Sequence, residues 1–151
     1  TNTDVPGHMG PQGIPGASLR VWRDYFPNAE VTGIDIDDNI LFSENRIETY
    51  CVDQTSADDI NQFMSKSKTD KFDIIIDDGL HEYHANITLF ENMMDYLNKN
   101  GVYIIEDVTH HNLKKYKKYF IDDMNTYHAK IVEIENSRIS GRDRVIMITS
   151  E

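Results

Sequence analysis

Short apolar runs rich in β-branched residues alternate along the chain with segments of helical periodicity, and this alternation limits the possible folds more than any other feature of the sequence. The pattern predicts strands over residues 31–37, 46–53, 71–79 and 101–107, with helices between them. Strands that alternate with helices build βαβ units, in which the strands run parallel. The sequence therefore predicts an α/β fold with a Rossmann-like, doubly wound, mostly parallel sheet.

The last segment, HAKIVEIENSRISGRDRVIMITS, departs from this alternation. It contains two strand-like runs joined by a turn around SRISGRDR, which predicts an antiparallel hairpin at the C-terminal end.

Two further details follow from the local pattern. The run KFDIIIDDG predicts a strand that is buried on both faces, and the spacing from Tyr83 to Asn98 predicts a helix that Gly101 caps.

Length and composition narrow the class of protein. A chain of 151 residues predicts one domain over residues 1–151. Its formal net charge of −11 repels phosphate backbones, which argues against a nucleic-acid partner. Cys51 is the single cysteine, and the sequence contains neither a signal-peptide pattern nor an apolar run near the ~18 residues of a membrane span. We therefore expect no membrane partner and a reducing, cytoplasmic compartment.

Acidic residues stand at the carboxyl end of every predicted parallel strand. In such sheets, ligands bind at this end, where the strand order reverses. We expect the carboxylates to share one rim of the sheet: they are Asp35 and Asp37, Asp53, Asp77 and Asp78, and Glu106 and Asp107.

The acids after the two most apolar strands predict a metal site. Asp77 and Asp78 are adjacent, so they point to opposite sides of an extended strand, and only one of them need face the site. Two carboxylates ~4 Å apart repel by roughly 4 kcal/mol at an effective dielectric of ~20. If Asp78 meets Glu106 or Asp107 from the neighbouring strand, a bound cation relieves this repulsion, and oxygen ligands favour Mg²⁺. The alternative is that these acids cap the helices that follow.

His81 follows Asp78 in the turn between strand and helix, where its side chain can reach a substrate on the rim. Imidazole exchanges protons near neutral pH and is suited to removing a hydroxyl proton. His110 and His111, just beyond the next strand, are rival candidates for this base. A surface position for any of these histidines remains the alternative.

These elements together resemble the class I S-adenosylmethionine-dependent methyltransferases, read from just after the family's first strand to its final hairpin. GIDID resembles the second strand and YCVDQT the third. IIIDDGLH and GVYIIEDV resemble the fourth and fifth strands of the metal-dependent O-methyltransferases that act on sugar and natural-product hydroxyls. PGASLRVW is similar to the glycine-bearing loop and first helix of the family. DDGLH and IED are the distinctive elements of this resemblance, which covers nearly all 151 residues.

The resemblance implies S-adenosylmethionine and Mg²⁺ as cofactors and a small-molecule or saccharide acceptor. It implies that Asp35 holds the cofactor ribose, that Asp78, Glu106 and Asp107 hold the metal, and that His81 or His110 is the catalytic base. The other implied cofactor contacts are Gly16, Ser18, Asp53, Gln54 and Asp77. Because the family's first strand is missing ahead of Thr1, we expect the domain to be truncated at its N-terminus.

Two functions from other classes remain open at this point. An acid that binds ribose hydroxyls serves a nicotinamide dinucleotide equally well, so an NAD(P)-dependent oxidoreductase of Rossmann type is one alternative. A catalytically inert binding domain is the other. Dependence of activity on a metal separates the methyltransferase from both. The sequence leaves the oligomeric state open, with a homo-oligomer as one outcome.

Overall fold

The computed structural model describes residues 13–134 and 144–149. These residues form two compact units, and the chain passes from the first to the second between Asp53 and Gln54. Within the described ranges, every helix falls short of the length and apolarity needed to cross a membrane. The elements in chain order are α1 (Ala17–Tyr25), β1 (Val31–Asp35), β2 (Ser43–Glu44), β3 (Ile47–Cys51), α2 (Ala57–Lys66), β4 (Phe72–Asp77), α3 (Tyr83–Met93), β5 (Leu97–Ile105), α4 (His110–Lys117), β6 (His128–Glu133) and β7 (Arg144–Thr149).

The first unit contains α1 and a sheet with the strand order β1-β3-β2. β1 and β3 run parallel, as predicted, and the short β2 pairs antiparallel with β3. Helix α1 packs on β1 at Gly33, where an added Cβ would lie 2.6 Å from Leu19 Cδ1. Glycine at this position therefore lets the helix approach the strand closely.

Arg46 joins the end of α1 to the start of β3. Its guanidinium donates hydrogen bonds to the carbonyl oxygens of Arg23 at 3.0 Å, Phe26 at 3.1 Å and Ala29 at 2.9 Å. The last carbonyls of a helix have no partner within the helix, so a cation with several donors is a favourable C-terminal cap. One side chain thus fixes where β3 begins relative to α1.

The second unit contains a mixed sheet with the strand order β4-β5-β7-β6. β4 and β5 run parallel, whereas β7 pairs antiparallel with both β5 and β6. The predicted antiparallel hairpin at the C-terminal end is therefore confirmed. Its predicted turn around SRISGRDR lies outside the described residues, apart from Arg144.

The core of the second unit is centred on α3. Ala85, Leu89, Phe90 and Met93 recur at helical spacing and are buried. The ring of Phe90 makes edge-to-face contacts with Tyr103 of β5, at 5.4 Å between centroids, and with Phe120 beyond α4, at 5.0 Å. Because burial of one such side chain contributes about 1.5–3 kcal/mol, this cluster holds α3 on the sheet.

The segment between α3 and β5 differs from the sequence prediction. The α-helix ends at Met93, one 3₁₀ turn spans Met94–Tyr96, and β5 already begins at Leu97. Gly101 is a buried residue of β5 and not a helix cap. Phe72 pairs with Leu97, but Ile74 pairs with Val102, so the start of β5 contains an irregularity that periodicity alone does not reveal.

β4 is also less enclosed than its continuous apolar run predicts. Ile74 is 41% exposed and Asp73 is exposed, whereas Ile75 and Ile76 are half-buried. Burial therefore increases along the strand towards Asp77, and the prediction of a strand buried on both faces is wrong for its first half. The most buried part of β4 is the end that precedes the candidate site.

Candidate functional site

Two turns that follow parallel strands hold residues in an uncommon backbone conformation. His81, between β4 and α3, has φ 57°, and Asp107, after β5, has φ 50°. Residues other than glycine rarely adopt this left-handed region, although histidine, aspartate and asparagine do so more often than most. Such conformations cost about 1–3 kcal/mol and cluster at functional sites. Arg46 and Asn100 also have positive φ, but only His81 and Asp107 lie in turns at the carboxyl ends of the paired strands β4 and β5.

The turns bring three side chains to one point. His81 Nε2 lies 3.8 Å from Asp78 Oδ1 and 3.7 Å from Asp107 Oδ2. One potential ligand atom from each residue lies within 4.8 Å of the others. The pairing of β4 with β5 explains this convergence: Asp77 pairs with Ile105, and Glu106 N donates to Asp77 O at 3.0 Å. Residues just beyond both strands therefore emerge at the same edge. We call Asp78, His81 and Asp107 the rim cluster.

The charge and exposure of the rim cluster suit a cation. The side chains of Asp78 and Asp107 are 57% and 28% exposed, and that of His81 is 19% exposed, so the carboxylates are more accessible to solvent than the imidazole. Burial raises the pKa of the neighbouring Glu106, and the charges of Asp78 and Asp107 raise it further. The donors are mainly carboxylate oxygens, which hard divalent cations such as Mg²⁺ prefer.

The predicted metal ligands are brought together in part. Asp78 and Asp107 both belong to the rim cluster, in company with His81. Glu106 is half-buried and close enough to respond to both carboxylates, but it is not a member of the cluster. Its role as a ligand stays a prediction.

The orientation of His81 is defined by its two ring nitrogens. Nε2 faces the carboxylates of the rim cluster, whereas Nδ1 is buried and has no hydrogen-bond partner among the residues that the structure describes. Nε2 is therefore the ring nitrogen that faces the carboxylates, and Nδ1 faces the interior. His110, the rival base, is the first residue of α4; it is exposed and lies outside the rim cluster.

Asp77 faces the protein interior. It is 2% exposed, and its carboxylate accepts hydrogen bonds from Asn86 Nδ2 at 2.7 Å and Gln54 Nε2 at 3.2 Å. Burial raises its pKa, while the hydrogen bonds from Asn86, Gln54 and Gly79 N and the charge of His81 oppose that rise. Because both carboxylate oxygens are engaged inside the protein, this geometry does not support the predicted contact between Asp77 and the cofactor.

The sequence analysis missed two partners in this buried network. Asn86 and Tyr116 are 1% and 2% exposed, and the hydroxyl of Tyr116 donates to Asn86 Oδ1 at 2.5 Å. Asn86 thereby links Asp77 of β4 to α4. A signal was present in the sequence, because Asn86 is a polar residue on the apolar stripe of α3 that contains Phe90 and Met93.

The first unit carries the other predicted cofactor contacts. Asp35 is the exposed last residue of β1, and its Oδ1 accepts a hydrogen bond from Asp37 N at 2.9 Å. Val52 N donates to Asp35 O at 2.9 Å, so Asp35 and Asp53 lie at the same end of the β1–β3 pair. Gly16 caps the N-terminus of α1 with φ 74°, and Ser18 is exposed in the first turn of that helix.

Comparison with known proteins finds a matching family and several similar enzymes. The model of a family described as a methyltransferase domain matches residues 16–145. The chain is 36% identical over 104 residues to mycinamicin VI 2''-O-methyltransferase of Micromonospora griseorubida, covering 69% of this chain and 25% of that protein. It is 32% identical over 111 residues to 8-demethyl-8-alpha-L-rhamnosyl tetracenomycin-C 2'-O-methyltransferase of Streptomyces olivaceus, covering 74% of this chain and 29% of that protein. The chain thus spans between a quarter and a third of the length of these relatives.

Solved structures agree on the fold. The MycE methyltransferase in complex with Mg, SAH and mycinamycin VI is 31% identical, with a TM-score of 0.57, over 77% of this chain and 29% of that chain. An O-methyltransferase from Bacillus cereus in complex with SAH has a TM-score of 0.66 at 17% identity, over 92% of this chain and 71% of that chain, a likeness of fold alone. The predicted Rossmann-like α/β fold is confirmed.

Proposed function

Because the chain belongs to the methyltransferase-domain family, whose model matches residues 16–145, we propose that it serves to transfer the methyl group of S-adenosylmethionine to a hydroxyl oxygen. The predicted resemblance to class I methyltransferases is confirmed by this match. The acceptor that we propose is a sugar hydroxyl of a glycosylated natural product, because two relatives are named as O-methyltransferases of mycinamicin VI and of a rhamnosyl tetracenomycin. The rim cluster is the observation that carries the proposal.

The metal of the proposed site is Mg²⁺, held by Asp78 and Asp107 with Glu106 beside them. Support comes from the donor chemistry of the rim cluster and from the Mg in the related MycE complex. When bound, this ion would orient the acceptor and make its hydroxyl more acidic. The protein's own contribution is to keep two carboxylates at the ends of paired strands, where the register of β4 and β5 fixes their spacing.

His81 is the proposed general base. Its Nε2 takes the hydroxyl proton while the acceptor oxygen attacks the methyl carbon in line with the sulfonium sulfur. The new O–C bond forms as the C–S bond breaks, and sulfur keeps the electron pair, leaving S-adenosylhomocysteine. A base in this role contributes about 10²–10⁴-fold to the rate. The buried Nδ1 and the left-handed backbone support a fixed imidazole with Nε2 outward.

The cofactor contacts that we propose in the first unit are Asp35 for the ribose and Asp53 for the adenine side, with Gly16 and Ser18 in the loop and helix start. Asp35 is exposed at the carboxyl end of β1, which is where a carboxylate meets ribose hydroxyls in such sheets.

A cytoplasmic location is part of the same proposal, supported by the one cysteine, the exposed and free Cys51.

Calorimetric titration of the intact protein with S-adenosylmethionine, with NAD⁺ as the control ligand, tests the cofactor. We expect binding of S-adenosylmethionine alone. Methyl transfer to a panel of glycosides, with and without a chelator, then tests the metal: activity should disappear with the chelator and return with added Mg²⁺, while cofactor binding persists. Binding of NAD⁺ in place of S-adenosylmethionine, or activity that is indifferent to chelation, would contradict the proposal.

A further inference from the structure

Gln54 connects two parts of the second unit with both ends of its amide. Its Nε2 donates to Asp77 Oδ1 at 3.2 Å, and its Oε1 accepts from Leu80 N at 2.7 Å. Asp77 ends β4, and Leu80 lies in the turn between Asp78 and His81. One side chain from the segment before α2 therefore ties the end of the strand to the middle of the turn that carries two members of the rim cluster.

The turn is shaped to receive this amide. A Cβ added at Gly79 would lie 1.9 Å from Gln54 Oε1 and 2.8 Å from Gln54 Cδ. The backbone of Gly79 is outside the left-handed region, so glycine is not required there by its φ angle. The absence of a side chain instead leaves room for Gln54 to reach Leu80 N.

The anchor at the other end of the amide is rigid. Asp77 is buried and is held through its second oxygen by Asn86, which in turn accepts from Tyr116. A hydrogen bond to a fixed partner positions a side chain better than one to a mobile partner, because little freedom remains in the pair. Gln54 is therefore held at one end and transmits that position to Leu80 N.

We propose that Gln54 is a positioning residue that fixes the turn carrying Asp78 and His81 for metal binding. This inference rests on the proposed function, because it takes the rim cluster to be a Mg²⁺ site. Residues that orient metal ligands from outside the coordination sphere typically contribute about 10–100-fold to metal affinity or activity. Asp78 is the more exposed carboxylate of the rim cluster and belongs to the turn that Gln54 holds.

The rival interpretation is the family resemblance, which implies that Gln54 contacts the cofactor. The two interpretations predict that a change at Gln54 weakens the binding of different ligands. A positioning residue for the turn affects Mg²⁺ affinity, whereas a cofactor contact affects the affinity for S-adenosylhomocysteine. Both ends of the Gln54 amide are already engaged by Asp77 and Leu80, which favours the first.

The test is calorimetric titration of the intact protein with MgCl₂ and, separately, with S-adenosylhomocysteine. Gln54→Met keeps the length of the side chain and removes both hydrogen bonds. We expect the Kd for Mg²⁺ to rise about tenfold or more, with the Kd for S-adenosylhomocysteine unchanged. The matched control is Gln62→Met, since Gln62 is exposed on α2 and its Oε1 accepts a hydrogen bond from Lys66 Nζ at 3.0 Å, within the same helix. This control should leave both affinities unchanged.

Gly79→Ala tests the same inference without changing Gln54. The added methyl group would displace the flexible amide end of Gln54 from Leu80 N, so the Kd for Mg²⁺ should rise in the same direction. Thermal unfolding in the presence of a chelator checks that each variant is folded. Raising the Mg²⁺ concentration to saturation should restore methyl transfer in both variants to a large extent, as expected for a loss of metal affinity.

Three outcomes would overturn the inference. If folded Gln54→Met and Gly79→Ala proteins bind Mg²⁺ as the wild type does, Gln54 does not position the site. If Gln54→Met weakens S-adenosylhomocysteine binding alone, the rival interpretation holds. If the wild-type protein binds no Mg²⁺, the proposed metal site itself fails and takes the inference with it. The wild-type titration therefore separates failure of the proposed function from failure of the inference.

Discussion

His81 Nε2 lies 3.7 Å from Asp107 Oδ2, and both residues have left-handed backbones in turns that follow different, paired strands. Each turn uses its positive φ to direct one side chain towards the same point. These conformations are unfavourable on their own, and the pairing of β4 with β5 and the packing around Phe90 stabilise them. The backbone of these two positions must therefore be preserved in any variant that tests their chemistry.

Asp107→Asn should weaken Mg²⁺ binding by more than about tenfold, since changes outside the coordination sphere already cost about 10–100-fold. Asparagine tolerates the left-handed region, so the variant changes the charge and leaves the turn intact. Without metal, the substitution removes repulsion from Asp78, and Tm measured with a chelator should not fall. Calorimetry with MgCl₂ and thermal unfolding give the two readouts.

The control for this prediction is Asp123→Asn, which removes a carboxylate that pairs with Lys118 Nζ at 2.8 Å and lies outside the rim cluster. Its Kd for Mg²⁺ should equal that of the wild type. Equal loss of affinity in both variants would mean that general negative charge, and not the rim cluster, attracts the ion.

His81→Asn should reduce kcat about 10²–10⁴-fold while the Kd for S-adenosylmethionine stays constant, because the variant loses a base and keeps a residue that accepts a positive φ. His110→Asn is the matched variant, because His110 is the rival base and is exposed at the start of α4. It should retain kcat. Initial rates with a glycoside acceptor at saturating Mg²⁺ distinguish the two, and the reverse pattern would assign the base to His110.

Tyr116→Phe should lower the free energy of unfolding by about 1–3 kcal/mol, because it leaves the buried Oδ1 of Asn86 without its donor. Urea unfolding with a chelator measures this change, and an unchanged m-value would indicate that the denatured state is unaffected. The control is Tyr119→Phe, whose hydroxyl donates to the exposed Glu91 at 2.6 Å. That change should stay within about 0.5 kcal/mol, because the partner carboxylate is exposed and binds water once the hydroxyl is removed. Similar losses in both variants would argue against a special role for the buried link.

The sequence was sufficient for those parts of the fold that depend on local periodicity and on chain order. Alternating patterns predicted the strands β1, β3, β4 and β5, their parallel direction and the terminal hairpin. The meeting of Asp78 with Asp107 also follows from chain order, because parallel neighbours end at the same edge of a sheet. This meeting could therefore be predicted without knowing any contact between individual residues.

The remaining features depend on contacts between segments that are distant in the chain. Neither the positive φ of His81 nor the inward orientation of Asp77 has a local signal in the sequence. The orientation of Asp77 is fixed by hydrogen bonds from Asn86 in α3 and from Gln54 before α2. The end of α3 was predicted too late because Asn100 and Gly101 resemble a helix cap. In the structure, they form the irregular start of β5.

Alkaline pH should destabilise the protein through two buried tyrosines, Tyr103 and Tyr116, and the half-buried Tyr119. Burial is the main cause that raises the pKa of Tyr103, Tyr116 and Tyr119, and nearby carboxylates raise it further. Above pH of about 10, an unfolded tyrosine loses its proton while these folded tyrosines keep theirs, so the unfolded state binds fewer protons and stability falls as pH rises. The difference in tyrosinate absorbance between wild type and Tyr116→Phe isolates one of these groups. This absorbance difference should appear only together with loss of the far-ultraviolet circular dichroism signal. Ionisation of Tyr116 in the folded protein near pH ~10 would contradict the burial of its hydroxyl.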